Sequence, residues 1–152
     1  MVNAVAVLKG VAAIAGTVVF TQPETGGNIT ISAQFSGLPA GLHGFHVHQY
    51  GNLTNGCDST GGHYNPFNKP HAGPHDLVRH VGDFGNVEAG ADGLATFVIS
   101  DNQVRLDGDY SVIGRAVVIH AGVDDLGRGD NPESKINGNS GVRLACGVIG
   151  RK

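Results

Sequence analysis

Seven side chains able to hold a metal recur along this chain: His46, His48, His63, His71, His80, Asp83 and His120. Imidazole and carboxylate are ligands for borderline ions such as zinc and copper. His46 and His48 are separated by one residue, four further candidates share a single Gly/Pro/Asn-rich stretch, and His120 closes an apolar run far downstream. A tetrahedral ion uses four ligands, so the pattern points to two metals.

His63, His71, His80 and Asp83 come from one segment. Three nitrogens and one oxygen make a closed site suited to zinc, whose binding would help order that segment. The remaining His46, His48 and His120 could alone hold a catalytic zinc. An imidazole has two nitrogens, however. If His63 gives up its second proton and bridges both ions, the second metal gains four nitrogens, a set that suits Cu(II). Copper can change valence where zinc cannot, so a redox reaction becomes available. His43 shares the parity of Phe45 and Val47 and reads as a hydrogen-bonded core residue. His75, after Pro74, could compete with His71 for zinc but reads as a solvated surface residue. The bland alternative is a histidine-rich loop with adventitious metal affinity. It leaves the shared parity of His46 and His48, and the distant His120, as coincidence.

These ligands need a rigid frame. Short Val, Ile, Phe and Thr runs between Gly/Asn/Asp/Pro clusters predict an all-β sandwich or barrel. Expected strands are Asn3 to Lys9, Thr17 to Gln22, Asn28 to Ser36, Gly41 to Gln49, Asp83 to Ala89, Leu94 to Ser100, Arg115 to His120 and Val142 to Ile149. In Asn28 to Ser36, Ile29, Ile31, Ala33 and Phe35 share one face, and Gly26-Gly27 marks the turn before it. In Gly41 to Gln49, period two sends Phe45 and Val47 one way and both histidines the other. Histidines outside the core need a cover. The irregular stretch from Tyr50 to Val81 can supply it, since a loop this long in a compact domain is usually functional or disordered. Ala121 to Gly141 forms a second long polar loop.

A length of 152 residues fits one domain spanning 1–152. The formal net charge of −3, with no basic run, argues against nucleic acid as a partner. No stretch is long and apolar enough to span a bilayer, so no membrane partner is expected. Met1 to Gly10 lacks a signal-peptide core, and Val11 to Phe20 is broken by Gly16 and Thr17, so a cytoplasmic location is expected. The two cysteines, Cys57 and Cys146, read equally well as reduced thiols or as one disulfide. Asn28-Ile29-Thr30 and Asn52-Leu53-Thr54 fit the N-glycosylation sequon and would be silent inside the cell.

The most specific local patterns are Gly41-Leu42-His43-Gly44-Phe45-His46-Val47-His48, Arg79-His80-Val81-Gly82-Asp83, Gly114-Arg115-Ala116-Val117-Val118-Ile119-His120, Asp124-Asp125-Leu126-Gly127 and Gly141 to Gly150. Through them the chain resembles the copper/zinc superoxide dismutases nearly end to end. The resemblance implies an eight-stranded Greek-key β-barrel or sandwich, immunoglobulin-like, with two long functional loops. It implies copper on His46, His48, His63 and His120, and zinc on His63, His71, His80 and Asp83. It implies a Cys57–Cys146 disulfide, and Asp124 as a carboxylate tying His46 to His71. The implied reaction oxidises one superoxide anion to dioxygen and reduces a second to hydrogen peroxide. His63 would supply a proton in the second step, and Arg143 would hold the anion beside copper. A homodimer through Tyr50 to Leu53, Ile113-Gly114 and Gly147 to Arg151 is implied, as is a copper chaperone for loading.

The charge of −3 would repel superoxide at long range, so attraction must be local. Lys135 is a steering candidate, but Asn131 to Asn137 departs from the family pattern: Pro132 replaces a glutamate and the lysine is displaced by one residue. Two other readings stand beside this one: a non-catalytic copper-carrier domain on the same fold, and a zinc hydrolase using His46, His48 and His120.

Overall fold

A computed structural model describes residues 1–152. Ten strands carry the chain: β1 (Val2–Gly10), β2 (Ala15–Gln22), β3 (Ile29–Ser36), β4 (Gly41–His48), β5 (Thr54–Cys57), β6 (Asp83–Ala89), β7 (Ala95–Asp101), β8 (Ala116–His120), β9 (Arg143–Val148) and β10 (Gly150–Arg151). Nine of them form one antiparallel sheet, eight in the order β6-β4-β8-β9-β1-β2-β3-β7 and β10 paired to β1. Its ends, β6 and β7, pack together. The result is a nearly closed Greek-key barrel. Closure limits the free edges that would otherwise recruit other strands.

Alternation decides what faces inward. In β3, Ile29, Ile31, Ala33 and Phe35 are buried and the intervening residues are not. In β1 the small Ala4 and Ala6 point in with Leu8, whereas Val7 is exposed. Phe45 anchors the interior, with the rings of Phe35, Phe84 and Phe97 within 5.3–5.8 Å. Edge and tilted contacts of this kind add to the area such rings bury.

β8 and β4 from His43 onward are different, because both of their faces are covered. Phe45 and Val47 enter the core, while His46 and His48 lie under the loops on the outer face. The register slips between Gly44 and His46 against β6, and between Ile119 and His120 against β9. Such bulges re-aim side chains beside sites, and here they flank two ligand candidates. Gly44 lets the cover come close: a Cβ there would sit 2.6 Å from Ser140 Oγ in the second loop.

The covering loops hold more order than their composition suggests. The first contains β5 and a 3-10 turn at Asp58–Thr60, and the second a single helical turn, α1 (Ser134–Asn137). Backbone bonds stitch the first loop to β4: Tyr64 N–H to Val47 O at 2.8 Å, Val47 N–H to Gly82 O at 3.0 Å and Gln49 N–H to Gly62 O at 2.9 Å. A Cys57–Cys146 disulfide joins the same loop to β9, with Cα atoms 5.8 Å apart. A closed loop of this size contributes about 4–5 kcal/mol in the chain-entropy treatment. Arg79, buried in the loop, pairs with Asp101 at the end of β7 (2.6 Å) and also donates to Pro74 O.

Candidate metal centre

The hydrogen-bond partner of each ring fixes which nitrogen is left for a metal. His48 Nδ1 lies 2.8 Å from Gly61 O, and His120 Nδ1 lies 3.0 Å from Gly141 O. A carbonyl only accepts, so in the neutral ring both protons sit on Nδ1 and both Nε2 atoms are bare. Those two Nε2 atoms face each other at 3.3 Å. His46 donates from Nε2 to Asp124 Oδ2 (2.7 Å), which leaves Nδ1 bare, buried and without a partner. His63 Nε2 is likewise buried and without a partner. Ligand atoms of His46, His48, His63 and His120 all lie within 4.8 Å of one another. Four lone pairs converging on one point need a cation, and a four-nitrogen set suits Cu(II).

On the other side of His63 the donors gather round Asp83 Oδ1. His71 Nδ1 is 2.8 Å from it, His63 Nδ1 3.1 Å and His80 Nδ1 3.4 Å, and His63 Nδ1 lies 3.2 Å from His80 Nδ1. A tetrahedral zinc with bonds of about 2.0–2.1 Å spaces its ligands about 3.3 Å apart. The residues present therefore fit zinc on one face of His63 and copper on the other.

Asp124 ties the halves together, accepting from His46 Nε2 and, through Oδ1, from His71 Nε2 at 2.7 Å. Its backbone is held by Asn86, whose Oδ1 accepts from Asp124 N–H at 2.8 Å and whose Nδ2 donates to Asp124 O at 3.0 Å. Gly138 packs against this bridge. A Cβ there would fall 2.1 Å from Asp124 Oδ1, and its φ of +70° disfavours any other residue.

Burial and mutual repulsion set the protonation of the two halves. Burial, then the neighbouring rings of His63 and His120, push His46 and His48 well below the usual histidine range. Burial also brings His120 down to about 4, against the upward pull of the Gly141 carbonyl. For His71 burial is outweighed by its bonds to Asp124 and Asp83, which raise it to about 9. For Asp83 burial is outweighed by the rings of His63, His71 and His80, which hold the carboxyl far below the usual range.

His48, His63 and His120 open on a cleft of about 280 Å³ that Arg143, Glu133, Asn137 and Asn139 also line. Arg143 is half-buried, and all its bonds to protein run from Nη1: to Cys57 O (2.9 Å), Thr60 Oγ1 (3.1 Å) and Asp58 O (3.5 Å). Its Nε and Nη2 remain free for an anion.

The structure thus brings together all seven ligand candidates, with Asp124 and Arg143. It does not bring Lys135 to the cleft. Lys135 lines a separate hollow with His71, Asp76, Leu126 and Arg128, because its own carbonyl accepts from His71 N–H at 2.8 Å and fixes α1 against the first loop. His43 is the core residue expected, its ring between Pro39 O and His120 O, and His75 is exposed. Sequence reasoning passed over the bracing role of Asn86, the Arg79–Asp101 pair and the need for glycine at 138. Each depends on a contact between distant segments.

Fold and site define a class: a β-barrel whose loops cover two adjoining clusters of metal-capable donors that meet at His63 and open on a polar cleft. A family model described as Copper/zinc superoxide dismutase (SODC) matches residues 14–149. The chain is also 55% identical over 151 residues to the Extracellular superoxide dismutase [Cu-Zn] of Onchocerca volvulus, a match covering 97% of this chain and 75% of that protein. The chain belongs to the copper/zinc superoxide dismutase family. It is an oxidoreductase that disproportionates superoxide to dioxygen and hydrogen peroxide, with copper and zinc as cofactors. The copper-carrier alternative is not favoured.

One expectation is overturned. A cytoplasmic location was expected from Met1 to Phe20, but the relative is named as extracellular. Those residues form β1 and most of β2, parts of the barrel itself, so they carry no information about export.

Proposed function

We propose that His46 Nδ1 with Nε2 of His48, His63 and His120 holds copper, and that Nδ1 of His63, His71 and His80 with Asp83 holds zinc, in one domain spanning 1–152. The partnerless nitrogens of His46 and His63 carry this reading. Copper, when bound, supplies the one-electron couple that takes an electron from one superoxide and returns it to another. The protein does the rest. Arg143, anchored through Nη1, turns its free N–H groups toward the cleft and orients the anion there; a guanidinium stays charged at any working pH. His63 Nε2, which has no protein partner and lines the cleft, would hold a proton whenever it is not ligating and would pass it to the reduced substrate, the second proton of hydrogen peroxide coming from solvent. Asp124 fixes the tautomers of His46 and His71, the usual task of a carboxylate behind a ligating histidine.

Tyr50 to Leu53, Ile113-Gly114 and Gly147 to Arg151 make the contact of a homodimer. Tyr50, Leu53 and Val148 are exposed on the single chain, as such a contact needs. A copper chaperone loads the ion, and the protein works outside the cell. Cobalt in the zinc site tests the bridge. If His63 is shared, the copper electron spin resonance signal disappears through coupling across the imidazolate. An unchanged signal would show that His63 does not bridge.

A further inference from the structure

The sequon Asn28-Ile29-Thr30 takes no part in the metal chemistry. It follows the Gly26-Gly27 turn and enters β3, where Asn28 and Thr30 are exposed and Ile29 between them is buried in the core. The acceptor side chain is available: its one bond to protein runs from Nδ2 to Ser100 Oγ at 3.1 Å. An amide nitrogen carries two protons, so the second can keep that bond after the first is replaced. Asn28 also forms part of the wall of a hollow of about 260 Å³ whose other lining groups include His75, Asp76, Asn102 and Gln103, with a single hydrophobic residue. Such a surface suits the hydroxyl and amide groups of a sugar.

The second sequon, Asn52-Leu53-Thr54, is placed differently. Asn52 Oδ1 is taken by Thr54, from N–H at 3.0 Å and from Oγ1 at 2.7 Å. It also lies within the Tyr50 to Leu53 segment assigned above to the dimer contact. A glycan there would block a partner. One at Asn28 stands beside the outer edge of the first loop, and none of the residues lining the copper cleft lines its hollow.

We propose that Asn28 is an N-glycosylation site and that its first N-acetylhexosamine rests in this polar hollow, with Asn52 left unmodified. This rests on the extracellular reading of the protein. In the transfer, Asn28 Nδ2 displaces the diphosphate of a lipid-linked oligosaccharide. The new bond joins nitrogen to the anomeric carbon, the bond from that carbon to phosphate oxygen breaks, and the amide proton leaves with the diphosphate. No electrons change hands.

The test carries the full chain through the secretory pathway of a eukaryotic cell on an added leader. The secreted protein is weighed intact before and after peptide N-glycosidase. One oligosaccharide, lost in Asn28→Gln and in Thr30→Ala and retained in Asn52→Gln, is the expected result, with dismutation per bound copper in Asn28→Gln and Thr30→Ala equal to that of the unchanged protein. Secreted, active protein with no sugar on Asn28, or with the sugar on Asn52 alone, overturns the proposal. Location is read separately, by fractionating the natural source. Protein confined to the cytosol would sink the extracellular reading without changing what the leader experiment says about Asn28 as an acceptor.

Discussion

The two halves of the metal centre share His63 but differ in how far the protein alone completes them. On the zinc side a buried carboxylate already meets three imidazoles, and His71 is pulled up to about 9 by its two carboxylate partners. His71 sits between two carboxylates, Asp83 and Asp124, so negative charge already faces the donors of this half. On the copper side no carboxylate is bonded to the bare nitrogens: Asp124 takes the far nitrogen of His46, and Glu133 stands on the wall of the cleft. Burial and mutual repulsion hold His46, His48 and His120 neutral. On the proposed assignment the zinc half would tie down the first loop, whereas the copper half is a set of bare nitrogens positioned by β4, β8 and that loop. A redox ion needs such a site, stiff and neutral; a structural ion benefits from one that also ties down a long loop.

Substitutions can break this contrast. The largest effect is expected for His120→Ala, which should abolish dismutation and copper uptake while leaving zinc bound. Metal analysis of the purified variant checks it, and joint loss of both ions would show that the halves are not separable. Next comes Arg79→Met. Removing one partner of a buried ion pair typically costs about 3–5 kcal/mol, so chemical denaturation should show a loss of that order. Asp124→Asn should weaken zinc about 10–100-fold, the usual result of losing a carboxylate behind a ligand, as read by competition with a chelator. Gly138→Ala, which crowds the same bridge, should follow it in direction.

The pH dependence of the metal-free protein sharpens the comparison further. The copper histidines have folded values below the unfolded value of about 6.5. The unfolded chain therefore binds more protons, and their contribution is complete above about 6.5 and lost as pH falls toward about 4, the value for His120. His71 works in the opposite sense: its contribution is complete below about 6.5 and lost as pH rises through about 9. Stability measured by denaturant across this range should fall on both sides, with the acid limb reduced by His120→Ala, since His46 and His48 still contribute, and the alkaline limb reduced by Asp124→Asn, since Asp83 still holds His71. The smallest effect is expected for Lys135→Gln. Its side chain faces Asp76 and Arg128 rather than the cleft, so the superoxide rate at low salt should not change. A clear slowing would restore it as a steering group.

Much of this was legible in the sequence, because period-two alternation is local. It placed eight strands to within about two residues and put His46 and His48 on one outer face. The ligand set was legible because its residue types are few and its spacing unusual. What stayed hidden depends on tertiary contact. β5 and α1 lie in segments whose own pattern is irregular, and they are held by the disulfide and by the His71 to Lys135 backbone bond. Val5 and Val7 offered as good an inner face as Ala4 and Ala6. Only the packed barrel shows that the alanines face in. Lys135 stood near the right place in the chain, but which way α1 turns it is set by a residue more than sixty positions away. Location failed for another reason, since strand residues say nothing about export.

On the proposed assignment, copper on the four-nitrogen side of His63 would drive the reaction, with zinc organising the loop beside it. The most direct test is superoxide decay followed while the zinc-loaded protein is titrated with copper. Almost no catalysis is expected at the start, then a linear rise, and a plateau at one copper per chain. A rate that is high before copper is added, or one that ignores it, would rule out copper as the redox centre.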